Sequence, residues 1–359
     1  MGANLVSLAQ DILSFCATAK KGEKMLYVTP PDYNKPYADA MMEAAENLGL
    51  EALHLIPWAS SSGRKYLPHR DGRSKWMWST FKTSDLIIDC TLDGRPGYPG
   101  AVPEYCDEFS NLFEESDTRV LMITVPAPSQ RQLFPAEERF KRGLAAGEAI
   151  TKAKTMRFKS AAGTDLIMKK EGRPGHVQMS MVDKEHRWDN FGYDCAECCP
   201  LEDGVNGTLV LEPQDLITSL PGDQYVTDNV KLTFKNGYVT KIEGGYTAAR
   251  FRSFMERASL RGKDKESYGG CHFGWGISHE ATPGTGSRQE LAAYHHSAAG
   301  SVMVALGMSY GFASRSWKYF GLLGTRKAAS HTHMTLFNLD VYLDDEMVVE
   351  KGKIIKPGF

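Results

Sequence analysis

Apolar positions in the first part of the chain follow two rhythms. Leu5, Leu8, Ile12, Leu13 and Cys16, with polar residues between them, keep the helical repeat and predict an amphipathic N-terminal helix. A solid apolar run at 24–29 (KMLYVT) follows and stops at Pro30-Pro31. Tyr37, Met41, Met42, Ala45 and Leu48 mark a second helix, entered through Asn34 and Pro36, residue types suited to a helix start. Further solid runs at 52–56, 86–90 (LIIDC) and 120–124 (VLMIT) read as strands. Residues 136–151, with Phe140, Leu144, Ala145 and Ala149, read as a helix. Unbroken apolar runs belong to strands covered on both faces, which predicts an α/β domain, a parallel sheet with flanking helices.

Past residue 153 the texture changes. Residues 155–245 carry short strand-like runs punctuated by Ala162-Gly163, Asp203-Gly204, Asn206-Gly207 and Asn236-Gly237. The stretch 230–245 (VKLTFKNGYVTKIEGG) is a hairpin pattern, because Asn-Gly fits a two-residue turn between alternating runs. The expected division is an α/β domain over 1–153 and an α+β, mainly antiparallel domain over 154–359.

Composition narrows the function classes. With 359 residues, 42% hydrophobic and 24% charged, the chain is long enough for two cores and ordinary for a globular protein. A formal net charge of −2 gives no basic face for nucleic acid. No segment approaches the ~18 consecutive apolar residues of a membrane helix, and the N-terminal pattern is not that of a signal peptide, so a cytoplasmic address is expected. Seven cysteines at irregular spacing fit a reduced compartment. Cys195-Ala-Glu-Cys198-Cys199 has no second matching pair and is read as a turn with idle thiols rather than a zinc site. No glycine-rich dinucleotide or triphosphate motif follows any of the predicted strands.

Three places offer chemistry. The loop 91–100 (TLDGRPGYPG) follows a strand of the predicted parallel sheet, and ligands bind beyond the carboxyl ends of such strands. Arg95 there either grips an anion or is a solvated loop arginine. His331 and His333, at i and i+2 of a strand, project to one face, while Thr332, Met334 and Leu336 face a core. That pair is close enough to share one metal ion, with two partly exposed strand histidines as the alternative, and its face is expected to be the open one. The third place is Gly269-Gly270-Cys271-His272-Phe273-Gly274-Trp275-Gly276, with His279 and Glu280 opening the next loop. It is either a ligand-approaching strand or a glycine-kinked strand with a structural histidine. Tyr294-His295-His296 falls on a predicted helix starting near 287, where neighbours point apart and at most one reaches a site.

The last two clusters together resemble the 2,5-dihydroxypyridine 5,6-dioxygenase family, which shares a superfamily with aminopeptidase T-type metallopeptidases. The resemblance is carried by Gly-x-x-His-x-Gly-Trp-Gly at 269–276, by His331-Thr-His333, and by DVYLDD at 340–345. Arg187-Trp188-Asp189, the stretch 202–211, Ile242-Glu-Gly-Gly245 and, more loosely, Ala161–Asp165 extend it over most of 155–350. It implies a ring-opening dioxygenase with one divalent metal ion, Fe(II) favoured over Zn or Mn, and O2 as co-substrate. It also implies a homo-oligomer. By position, His272 and His331 match iron-binding histidines, and His333 stands where the family has an aspartate ligand. Arg95 replaces a histidine assigned to proton transfer, which points to a carboxylated or otherwise anionic hydroxylated N-heteroaromatic ring anchored by Arg95. The N-terminal domain would then supply the substrate loop and the C-terminal domain the metal. His186, His279, Glu280 and Glu185 are the candidates for moving protons. The alternative function is a Zn or Mn hydrolase of an amide, lactam or activated ring, using the same three histidines with Glu280 or Glu185 as general base. The peptidase branch fits less well, since a two-metal site needs carboxylates that the histidine-rich clusters do not supply.

Overall fold

The structure, a computed structural model, describes residues 2–56, 75–91, 112–123, 125, 127–135, 137–283, 288–309 and 324–359. The solid apolar runs form a parallel sheet in the order Glu51–Leu55, Lys24–Val28, Leu86–Asp89, Arg119–Ile123, Trp188–Phe191. Leu86–Asp89 and Arg119–Ile123 are buried throughout, as strands with helices on both faces must be. The helix Lys35–Asn47 starts where its sequence signal lies: Asn34 accepts the Tyr37 N–H through its side chain, and Pro36 occupies the first turn. The N-terminal helix Gly2–Asp11 passes into a single π-turn, Ile12–Cys16, which buries the adjacent Ile12 and Leu13 together. No helix among the described residues is long and apolar enough to cross a membrane.

The remainder forms two antiparallel sheets. The larger runs Tyr238–Gly244, Val230–Lys235, Val205–Leu211, Asp165–Lys169, Thr155–Lys159, Asp340–Leu343, Glu346–Glu350, Lys353–Ile354. Its hairpin turns at Asn236 and Gly237, both with positive φ (49° and 82°), the conformation that the Asn-Gly dipeptide supplies. The smaller sheet runs Leu216–Ile217, His331–Leu336, Val302–Gly307, Gly270–Gly276, Cys195–Cys198, His176–Gln178. The two share one core, in which Phe158, Leu166 and Leu232 of the first meet Phe273, Trp275, Val304 and Met334 of the second. This is the α/β plus α+β architecture expected from the sequence. The chain nevertheless returns across residue 153: Trp188–Phe191 closes the parallel sheet and leads, through Gly192–Asp194, straight into Cys195–Cys198 of the small antiparallel sheet.

The helix Glu137–Lys152 buries a different face from the one its apolar spacing suggests. Leu144 is 59% exposed, while Arg139, Gly143, Ala146, Gly147 and Ile150 are buried. The glycines decide this. A Cβ at Gly147 would lie 2.5 Å from Val177 Cγ2, and one at Gly143 would lie 2.8 Å from Ile277 Cδ1, so the helix backbone itself rests on the small sheet. Arg139 enters the same interface and binds Asp194 at 2.7 Å, with both side chains fully buried. At the far end, the buried Lys170 Nζ donates to the carbonyls of Ile150 (2.5 Å) and Ala153 (2.8 Å), satisfying groups that a helix end leaves without partners. Lys170→Met keeps the length of the side chain and removes those donors. It is expected to lower unfolding stability by about 1–3 kcal/mol in a urea titration.

Candidate metal centre

Three strands of the small sheet place the histidines. His331 pairs with Gly307 and His333 with Ala305 across one ladder. On the other side of the same central strand, Phe273 pairs with Val304, and the register slips between Gly270 and Phe273, where His272 sits. Strands two apart in a sheet are separated by about 10 Å, a gap that two imidazoles can span only if the strand between them is low. Gly307 and Ala305 make it low. His272 Nε2 lies 3.3 Å from His331 Nε2, and His333 Nε2 lies 2.5 Å from His331 Nε2. The ring centroids stand 5.2, 5.0 and 4.5 Å apart for the pairs 272–331, 272–333 and 331–333.

The partners on the other ring nitrogens set the tautomers. His331 Nδ1 is 3.0 Å from the Met308 carbonyl, which can only accept, so Nδ1 carries the proton and Nε2 presents a lone pair. His272 Nδ1 makes a 2.5 Å ion-pair contact with Glu197 Oε2, off the line of a standard hydrogen bond, and the carboxylate beside it favours the same form. The His333 backbone is clamped: its N–H donates to Ser219 Oγ at 3.1 Å and its carbonyl accepts from Thr218 N at 3.0 Å. Lone pairs aimed at a common point repel unless a cation lies between them. Metal–imidazole bonds of about 2.0–2.1 Å put neighbouring nitrogens roughly 3 Å apart, the separation seen between His272 and His331. His272 and His331 therefore fit a divalent ion, His333 would have to draw back from His331 Nε2 to join them as a third donor, and imidazole suits iron, zinc, copper and nickel alike. Cys271 also comes near, but its Sγ donates to the same Met308 carbonyl at 3.0 Å and stands 3.7 Å from His331 Nδ1, behind the ring rather than on the Nε2 side.

Glu197 is the residue that sequence reasoning passed over. It lies inside the Cys195–Cys198 strand, fully buried, with Gln178 Nε2 at 3.4 Å from its other oxygen. The available signal was a lone acid within an apolar run. Burial pushes its carboxyl up, but the His272 imidazole beside it prevails and holds it below the usual carboxylate range. Burial likewise pulls His272 down, and the Glu197 carboxylate outweighs this and raises it. The glycines of the strand motif make the approach possible. A Cβ at Gly274 would meet Ala196 O at 2.1 Å and Glu197 Cβ at 2.6 Å. One at Gly276 would meet Ala298 O at 2.3 Å and His296 O at 2.5 Å, where the helix Arg288–Ser297 ends.

That helix end encloses the histidine face, which the sequence pattern had placed in the open. His272 is 3% and His331 7% exposed; only His333 is half-buried. Of the adjacent pair on the helix, the His296 ring stands 5.0 Å from His333 and 5.7 Å from Tyr193, whereas His295 packs on Tyr225 and Phe337. The other candidates gather elsewhere. Glu280 Oε2 is bound by Arg139 at 2.8 Å, and that guanidinium outweighs the upward push of partial burial and keeps the carboxyl below its usual range. His279 is exposed on the same loop. His186 Nδ1 meets the Phe113 carbonyl at 2.8 Å, and His186 groups with Asp117 and Glu185 in a separate cluster. Arg95 lies outside the described residues. Cys195 and Cys198, three apart on a strand, point to opposite faces and cannot chelate one ion together.

Comparison with known proteins gives a consistent family. The profile of the family described as NicX, 2,5-dihydroxypyridine 5,6-dioxygenase, matches residues 4–356. The 2,5-dihydroxypyridine 5,6-dioxygenase of Pseudomonas putida is 29% identical over 243 residues, which span 68% of this chain and 66% of that relative, just under two thirds of its length. Among solved structures, the 2,5-dihydroxypyridine dioxygenase from Pseudomonas putida KT2440 superposes with a TM-score of 0.82 at 24% identity, over 99% of this chain and 98% of that one. Wild-type AmpT from Thermus thermophilus superposes with a TM-score of 0.64 at 15% identity, over 99% of each chain. At these identities the two structures speak for the fold.

The close approach at Gly274 makes a prediction. Gly274→Ala forces a backbone shift between two central strands and is expected to cost about 1–3 kcal/mol of stability, read by denaturant unfolding of the metal-free protein.

Proposed function

The chain belongs to the 2,5-dihydroxypyridine 5,6-dioxygenase family, and from that premise we propose that it is a ring-opening dioxygenase acting on a hydroxylated, anionic N-heteroaromatic substrate at a single metal held by His272, His331 and His333. The observation that carries this reading is the clustering of the three rings, with His331 Nε2 within 3.3 Å of His272 Nε2 and 2.5 Å of His333 Nε2, and with an acceptor oxygen beside the Nδ1 atoms of His331 and His272. A divalent ion there, Fe(II) on this reading, supplies the redox and Lewis-acid chemistry on which dioxygen use depends.

The chain's own residues do the rest. The imidazoles are neutral donors, so the ligand face adds no negative charge of its own and favours an anionic ring over a neutral one. The sheet holds the donors rigidly, since each comes from a paired strand and not from a loop. The helix Arg288–Ser297 brings His296 against His333 and closes one side, with Tyr193 of the turn before Cys195–Cys198 packed on His296. Arg95 is assigned to a carboxylate of the substrate, as a bidentate anchor supplied by the N-terminal α/β domain over 1–153, with the metal in the domain over 154–359. The enzyme is taken to work in the cytoplasm as a homo-oligomer. The hydrolytic alternative gains no support, because the matching family and the curated relative are both described as dioxygenases.

Three measurements test this. Metal analysis of protein purified without added ions is expected to find about one divalent ion per chain, and His331→Ala is expected to lose it. Oxygen consumption is expected with a carboxylated hydroxypyridine, falling in His331→Ala beyond the ~10–100-fold that loss of a ligand's supporting partner costs. Product formation without oxygen uptake would replace the dioxygenase reading with the hydrolytic one. His333→Asp restores a carboxylate to the face and is expected to shift preference toward uncharged 2,5-dihydroxypyridine, read as the ratio of kcat/KM for the two substrates.

A further inference from the structure

We propose that Glu197 is a positioning residue of this centre: its carboxylate, seated on His272 Nδ1, fixes the ring and its tautomer so that Nε2 presents a lone pair to the other two imidazoles. The proposal rests on the metal reading above and deepens it.

Glu197 is fully enclosed in a strand whose other members are Cys195, Ala196 and Cys198, all buried. An ionised carboxylate in such a place costs several kcal/mol unless it is paired. Its Oε2 stands 2.5 Å from His272 Nδ1, and Gln178 Nε2 lies 3.4 Å from Oε1. His176, itself 2% exposed, pairs with Glu197 in the ladder on the outer side.

The sheet is shaped around this contact. Glu197 pairs with Gly274, two residues beyond His272 on the neighbouring strand. Any side chain at 274 would meet Glu197 Cβ at 2.6 Å, so the glycine clears the diagonal along which the carboxylate reaches back to His272. His331 solves the same problem differently, with the Met308 carbonyl on its Nδ1 at 3.0 Å. Without an acceptor on Nδ1, the His272 proton is free to move to Nε2, where it would point into the site and block a metal bond. A carboxylate does more than a carbonyl, because its charge also raises the basicity of the ring it supports.

The test uses the full chain with cobalt(II) as the probe, measuring affinity by chelator competition and the ligand field by the visible spectrum of the bound ion. Relative to wild type, Glu197→Gln keeps an acceptor oxygen and the volume but loses the charge, and is expected to bind cobalt ~10-fold more weakly with shifted bands. Glu197→Ala loses both and is expected to bind ~100-fold more weakly. Circular dichroism of the metal-free proteins verifies folding, and if the alanine variant does not fold, the glutamine variant decides. Wild-type affinity and an unchanged spectrum in Glu197→Gln would overturn the proposal, as would a folded Glu197→Ala that binds within ~3-fold of wild type. A wild-type protein that takes up no cobalt, or a His331→Ala protein that takes it up unchanged, would instead remove the metal reading itself.

Discussion

Three imidazole nitrogens are held within a few ångströms of one another, and most of the chain's local peculiarities serve that arrangement. Nitrogen lone pairs do not gather without something to hold them. Here the holding is done from behind, by the Met308 carbonyl on His331 and the Glu197 carboxylate on His272, and from below, by a central strand that presents only Gly307 and Ala305 to the rings. The cation that such a face selects is set by the donors, and the rigidity is set by the ladders on either side.

The same requirement explains how the domains are joined. The segment from Trp188 to Cys198 is the last strand of the parallel sheet, then a tight turn, then the strand that carries Glu197. Gly192 takes φ of 83° in that turn, where its carbonyl accepts from Ser297 Oγ at 2.6 Å, while Asp194 N donates to the same hydroxyl at 2.9 Å. Ser297 ends the helix that carries His296, so one hydroxyl ties the turn to the lid over the histidines. Arg139 bridges the buried Asp194 and Glu280 across this junction. A buried ion pair of this kind is weak evidence for stability, but losing one partner would strand the other, which makes the junction intolerant of change.

Much of the site is legible in the sequence. His331 and His333 had to share a face because strand side chains alternate, and Met334 and Leu336 had to face the core for the same reason. Asn34, Pro36 and Asn236-Gly237 fixed a helix start and a turn by local chemistry alone. Two readings failed for one shared reason. Leu144, one of the apolar residues that mark the helix 136–151, is exposed, and the histidine face was expected to be open and is covered. In both cases a backbone approaches through glycine, at Gly143 and Gly147 or at Gly276, and hydrophobic periodicity registers side chains rather than their absence.

What the chain determined by itself is therefore local: the period of each element, the turns, the two-residue histidine spacing and the glycine spacing around His272. The tertiary structure decided which strands became neighbours. Only that order brings the strands of His272 and His333 to the two sides of Val302–Gly307, sets a carboxylate from position 197 against a ring at 272, and returns the chain after residue 153 to finish the first sheet. The physical reason is that pairing between distant strands depends on how whole surfaces fit in the core, a sum over many side chains that no short stretch of sequence carries.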